Sequence, residues 1–144
     1  MLIRMMEATD VSRVAEIERL CFSVPWTEKM LLEELSAERS VYRVAEENGD
    51  VVGYMGFYRV ADEGNITNIA VLPEHRRKGI ARALLSSFVA MAEEEGLAFL
   101  TLEVRKSNEA AIRLYESFGF EKVGVRPRYY DNTEDAVLMT RYFR

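Results

Sequence analysis

Cysteine is almost absent from this chain: Cys21 stands alone among 144 residues. No internal disulfide can form and no C-x-x-C metal pair exists, so a reducing, cytoplasmic setting is the simplest expectation. Leu20 and Phe22 beside it suggest a buried thiol. Histidine is equally scarce. His75 lies in a turn where a solvated role is expected, and with no cluster of His and Cys the sequence predicts no metal. Long apolar runs are missing too. The stretch from Met1 to Glu7 is too short and too charged for a signal-peptide core, and nothing later approaches a membrane span, so no membrane partner is expected. An excess of positive charge is also lacking: 24 acidic against 19 basic residues leave a net charge of −5. That argues against direct contact with nucleic acid and favours a basic peptide partner, although surface acidity also serves solubility alone. There is no linker, repeat or low-complexity tract. The expectation is one domain over residues 1–144, monomeric, with 49% hydrophobic residues to fill one core.

What is present alternates between two periodicities. Residues 2–6 read as a strand, and Thr9 or Asp10 can cap a helix carrying Val11, Val14, Ala15, Glu18 and Leu20. Pro25 interrupts, and Trp26-Thr27 opens a second helix with Met30, Leu31 and Leu35 on its apolar side. Residues 41–46 and 51–58 are strand formers, joined by the turn residues Asn48-Gly49-Asp50. Residues 65–72 form the next strand, in which Ile66 falls on one phase and Ile69 and Val71 on the other. A β-bulge near Thr67-Asn68 produces such a slip, as does a strand buried on both faces. A helix over 78–95 carries Ile80, Leu84, Phe88 and Met91 or Ala92, and a strand follows over 99–104. Ser107-Asn108 opens a last helix with Ala111, Leu114, Tyr115 and Phe118 on one face, ended by Gly119. Strands at 123–125 and 136–143 close the chain around a polar, aromatic loop. The order β-α-α-β-β-β-α-β-α-β-β predicts an α/β protein with a mixed sheet and helices on both faces.

The stretch Arg76-Arg77-Lys78-Gly79-Ile80-Ala81 joins a strand to the longest helix. The first N–H groups of a helix lack intrahelical partners and carry the positive end of its dipole, so they attract phosphate oxygens. Gly79 has no Cβ to block the approach, and three cations surround the turn. A pyrophosphate suits this chemistry. Basic glycine turns also open ordinary surface helices.

With its neighbours, this stretch resembles the GNAT N-acetyltransferase family, whose turn runs Arg or Gln, two residues, Gly, one residue, Gly or Ala. Arg76, Gly79 and Ala81 satisfy that pattern. Leu102-Glu103-Val104-Arg105-Lys106-Ser107-Asn108 with Ala111, Leu114-Tyr115 and Gly119-Phe120 extends it, as do Arg128-Tyr129-Tyr130, Glu134-Asp135-Ala136 and Met139. Together with Pro25-Trp26-Thr27 the set is similar to the RimI-type ribosomal-protein alanine N-acetyltransferases over essentially the whole chain.

The resemblance implies the GNAT fold and acetyl-CoA as co-substrate. It further implies that Ile69, Ala70 and Val71 pair with the pantetheine arm, that Arg76, Arg77, Lys78, Gly79, Ile80, Ala81 and Arg82 form the pyrophosphate seat, and that Asn108 holds the cofactor. Asn108 as a helix cap is compatible with that role. Glu103 matches the family's proton acceptor and Tyr115 its proton donor. An exposed acid and a core aromatic are their bland alternatives. Tyr129 and Tyr130 match substrate-peptide contacts, with lid packing as the alternative, and Trp26 forms either the opposite channel wall or part of the core.

Reference pKa values separate the acceptors: at pH 7 roughly a tenth of an α-amine is neutral, against a few parts in ten thousand of a lysine amine. The resemblance thus implies acetylation of the N-terminal segment of a protein, an alanine-starting small-subunit ribosomal protein. A lysine or small-amine acetyltransferase and a non-catalytic acetyl-CoA sensor are the alternatives.

Overall fold

Residues 1–130 and 133–143 are described by a computed structural model of the chain. Seven strands, β1 (Leu2–Met5), β2 (Ser40–Glu47), β3 (Asp50–Val60), β4 (Glu63–Val71), β5 (Phe99–Arg105), β6 (Glu121–Tyr130) and β7 (Glu134–Tyr142), form one sheet in the order β1-β2-β3-β4-β5-β7-β6. Only β4 and β5 run parallel. Helices α1 (Val11–Cys21) and α2 (Glu28–Leu35) lie between β1 and β2, α3 (Ile80–Glu94) between β4 and β5, and α4 (Glu109–Ser117) between β5 and β6. The element order matches the sequence expectation throughout.

Alternation along the strands shows how the helices are divided between the faces. Tyr42 stacks on Tyr54, whose hydroxyl donates to Glu18 of α1 at 2.6 Å. Neighbouring Arg43 instead donates to the Ser87 hydroxyl of α3 at 2.8 Å, and Phe57 meets Phe88 of α3 with ring centroids 5.5 Å apart. Adjacent strand residues point to opposite faces, so α1 and α3 cover opposite sides of the sheet. Helix α4 sits beside α3, where the Arg82 guanidinium lies over the Phe118 ring at 5.4 Å. Val14, Ala15, Ile17, Leu31, Leu84, Leu85, Phe88 and Leu100 are buried in the core between these layers.

Local signals placed most of the boundaries. Thr27 caps α2 by accepting the Met30 N–H, and Asn48 and Gly49, both at positive φ, make the β2–β3 turn. Four expectations need correction. The Asp10 side chain does not cap α1; its carboxylate accepts from Arg4 at 2.8 and 2.9 Å and from the Glu7 N–H. Leu20 and Met30 are exposed, and Ile17 occupies the buried stripe instead of Leu20. The final loop is far shorter than expected, because β6 resumes beyond a register break after Arg126 and takes in Tyr129 and Tyr130. The positive φ of Arg128 marks that break, and residues 131–132 of the loop lie outside the described residues.

Burial pushes the Tyr42 phenol up to about 12, and Tyr54 is raised further by burial and by the Glu18 carboxylate. The unfolded chain ionises near the ordinary phenol value of about 10 while the native state keeps its protons, so stability falls as pH rises through that region. The urea midpoint should therefore hold steady from about pH 7 to 9 and drop above about 10. Tyr42→Phe should make the decline shallower in the same titration.

Candidate active site

The sheet does not stay whole. Strands β4 and β5 pair only at Glu63↔Phe99, Gly64↔Leu100 and Asn65↔Thr101. Opposite β3, Gly56 pairs with Asn68 and Phe57 with Ile66, which leaves Thr67 as one extra residue in β4. The bulge expected from the phase slip is thus present at Thr67. Bulges bend a strand and raise its twist. Beyond it, Asn68 to Val71 keep pairing with β3 but have no β5 partner, so alternate backbone groups face an open wedge. An extended chain can add to such an edge as another strand would. Ile69 and Ala70 stand on it. The Val71 carbonyl is already engaged, by the Cys21 thiol at 3.5 Å and Arg76 Nε at 3.2 Å.

The wedge leads to the basic turn. Gly79 is the N-cap of α3 at φ 79°, and Arg77 is also left-handed at φ 66°. A Cβ built on Gly79 meets nothing within 4 Å, so the backbone is open to an incoming group. Arg77, Lys78 and Arg82 are exposed around it, while Ile80 is buried and Ala81 half-buried. Arg76, also exposed, has partners within the chain. Its guanidinium turns back onto the Val71 carbonyl and lies 3.6 Å from the Cys21 sulfur, which makes it a brace for the end of β4. His75 is half-buried against Glu47 at 3.1 Å, not freely solvated. Asn108 caps α4 through Oδ1, which accepts the Ala111 N–H at 3.2 Å, and its amide N–H groups remain as donors.

Glu103 stands two residues past the last β4–β5 rung, on the β5 face opposite the buried Leu100, Leu102 and Val104. Its Oε1 pairs with Arg126 at 3.0 Å, whereas Oε2 is buried and, among the described residues, has no hydrogen-bond partner. Tyr115 comes from α4 with its ring 5.9 Å from that of Phe120. Burial, aided by nearby Tyr130, pushes its phenol up to about 12, so it holds its proton at neutral pH. Tyr130 in turn is raised by burial and by the Glu103 charge. Glu103, Tyr115 and Tyr130 thus come from three separate elements, β5, α4 and β6.

Tyr129 and Tyr130 meet edge to face at 5.0 Å, under Arg126 at 4.8 Å and Arg105 at 4.4 Å respectively. Trp26 is half-buried against the core, and its backbone N–H donates to Glu18 at 2.8 Å. The sequence reading missed Arg126, and it missed the use of Glu18 as a buried acceptor for both Tyr54 and Trp26. Neither carries a local signal, since each pairing joins separate elements.

Four likenesses bear on this arrangement. The Acetyltransferase (GNAT) family pattern matches residues 11–120. The [ribosomal protein bS18]-alanine N-acetyltransferase of Escherichia coli K12 is 39% identical over 140 residues, covering 95% of this chain and 94% of that protein. The crystal structure of the ribosomal-protein-S18-alanine N-acetyltransferase from Escherichia coli superposes with a TM-score of 0.91 at 38% identity, over 98% of this chain and 92% of that one. Salmonella typhimurium yncA, solved with its cofactor acetyl-CoA, gives a TM-score of 0.86 at 25% identity, over 100% and 94%.

The half-buried Cys21 thiol is raised above the ordinary value by burial, with Arg76 opposing in part. At pH about 7.5 it should react with a disulfide reagent more slowly in the folded protein than in urea. Equal rates would contradict this placement.

Proposed function

The chain belongs to the acetyltransferase (GNAT) family, and we propose that it transfers the acetyl group of acetyl-CoA to the N-terminal α-amine of a protein. The relatives named above point to ribosomal protein bS18, starting with alanine, as that protein. The observation that carries the reading is the wedge between β4 and β5, with Glu103 two residues past its apex and one carboxylate oxygen buried without a partner among the described residues.

Acetyl-CoA supplies an activated acyl thioester. The free β4 edge at Ile69 and Ala70 suits an amide-bearing arm, and the open backbone at Gly79 with Arg77, Lys78 and Arg82 suits a pyrophosphate. Asn108 adds an amide donor. Arg76 serves the seat indirectly, by bracing the β4 end.

Glu103 takes the proton from the attacking amine, directly or through water. A carboxylate is a weak base toward an amine, which favours an acceptor that is already partly neutral: an α-amine near 7.8 rather than a lysine near 10.4. Tyr115, protonated until about 12, stabilises the departing thiolate, whose conjugate acid lies near 8.5, by donating a hydrogen bond, or protonates it. The exposed Tyr129, the half-buried Tyr130 and Trp26 line the route of the substrate N-terminus. The single thiol, Cys21, suits a reducing cytoplasmic setting.

Glu103→Gln and Tyr115→Phe should each lower kcat by about 100-fold or more while leaving acetyl-CoA affinity within about twofold. Full turnover in both would remove the assignment. Peptides with a free α-amine should be acetylated and those with a blocked α-amine but free lysine should not; labelling on lysine alone would overturn the acceptor. Gly79→Ala puts a Cβ at φ 79° in open space, so it should cost about 1 kcal/mol of stability in urea and raise KM for acetyl-CoA more than KM for peptide.

A further inference from the structure

Arg126 and Glu103 sit on different strands with β7 between them. Their pairing follows from the register: Glu103 and Gly124 both oppose Leu138, while Arg105 and Arg126 both oppose Ala136. Cross-strand partners share a face, as do residues two apart. Glu103, Arg105, Gly124, Arg126, Ala136 and Leu138 therefore occupy one face of the three strands. To reach Glu103, the Arg126 side chain must cross β7 diagonally. The small side chain of Ala136, opposite Arg126, leaves room for it, while the Leu138 side chain packs over Gly124.

The two ends of this bridge differ in their surroundings. The Arg126 side chain is 53% exposed, with its guanidinium over the Tyr129 ring at 4.8 Å. The Glu103 side chain is 25% exposed, and its two oxygens are unlike: Oε1 is held by Arg126 at 3.0 Å, and Oε2 is buried without a partner among the described residues. A buried carboxylate oxygen left unsatisfied is costly, so native structures keep one where it has work to do. A glutamate side chain also has three rotatable bonds and would sample several positions if neither oxygen were held. The exposure of Arg126 makes this a poor choice for stability alone, since ion pairs with one partner in solvent contribute little.

We propose that Arg126 is a positioning residue for the proposed base: by clamping Oε1 across β7 it fixes the rotamer of Glu103, so that Oε2 is the atom that takes the proton. The inference rests on the reading of Glu103 as the proton acceptor. It adds a coupling that this reading does not contain, because the β6–β7 hairpin that presents Tyr129 and Tyr130 also carries the group that sets the base. A shift of the hairpin with a bound peptide then alters the base as well as the peptide contacts.

The test is a double-mutant cycle on the full chain, with acetyl-CoA and an alanine-starting bS18 N-terminal peptide, measuring kcat and both KM values. Arg126→Ala should lower kcat by about 10- to 100-fold, the cost of a misplaced group, with KM for acetyl-CoA unchanged. Arg126→Lys, which keeps the charge, should recover part of the loss. In a Glu103→Gln background Arg126→Ala should have an effect below about twofold, since the clamp would have no base left to set. An equal loss in both backgrounds, or a loss confined to peptide KM, overturns the positioning role and makes Arg126 a structural or substrate-contacting residue. Normal turnover by Glu103→Gln would instead overturn the underlying base assignment, so the two failures are distinct.

Discussion

One extra residue in a strand governs this molecule. Thr67 is accommodated against β3 as a bulge, and the last β4–β5 rung lies just before it, at Asn65↔Thr101. A continuous sheet would satisfy every backbone group between β4 and β5; the parted one leaves an edge inside the protein, where unpaired N–H and C=O groups need a partner. The other candidate parts stand on the rim of that opening. Gly79 and the α3 N-terminus lie past the end of β4, and Glu103 lies on β5 beyond the apex.

The surrounding polar groups make the exception at Glu103 informative. Glu18, almost wholly buried, accepts from the Tyr54 hydroxyl and the Trp26 backbone N–H, and Asp10 accepts from Arg4 and Glu7. Thr140, also buried, bonds Thr101 at 3.0 Å. Burial of such groups is tolerable because each has its hydrogen bonds. Against that background the Glu103 oxygen that has no partner among the described residues is a cost, in line with the use proposed for it.

Much of this was readable before the fold was known. The two-residue and 3.6-residue periods separated strands from helices, Thr27 and Asn108 announced the α2 and α4 caps, and the phase slip between Ile66 and Ile69 announced the bulge. The errors share a cause. Asp10 looks like a cap until Arg4, on the preceding strand, takes its carboxylate. Leu20 and Met30 fit an apolar stripe drawn too wide, since the buried arc of a short helix is set by what it packs on. The β6–β7 connection read as a loop because Pro127 and the polar run after Tyr130 hide a strand that resumes after a break.

Local chemistry thus determined the element order, the open glycine turn before α3 and the position of the bulge, because each depends on residues within a few places of one another and on steric rules that hold in any context. Tertiary structure alone decided which charges meet. Glu103 and Arg126 are brought together only because β7 inserts between β5 and β6 in a register that sets Leu138 and Ala136 under them. Strand order is a property of the whole core. No pattern along the chain encodes which oxygen of a carboxylate is clamped and which is left free.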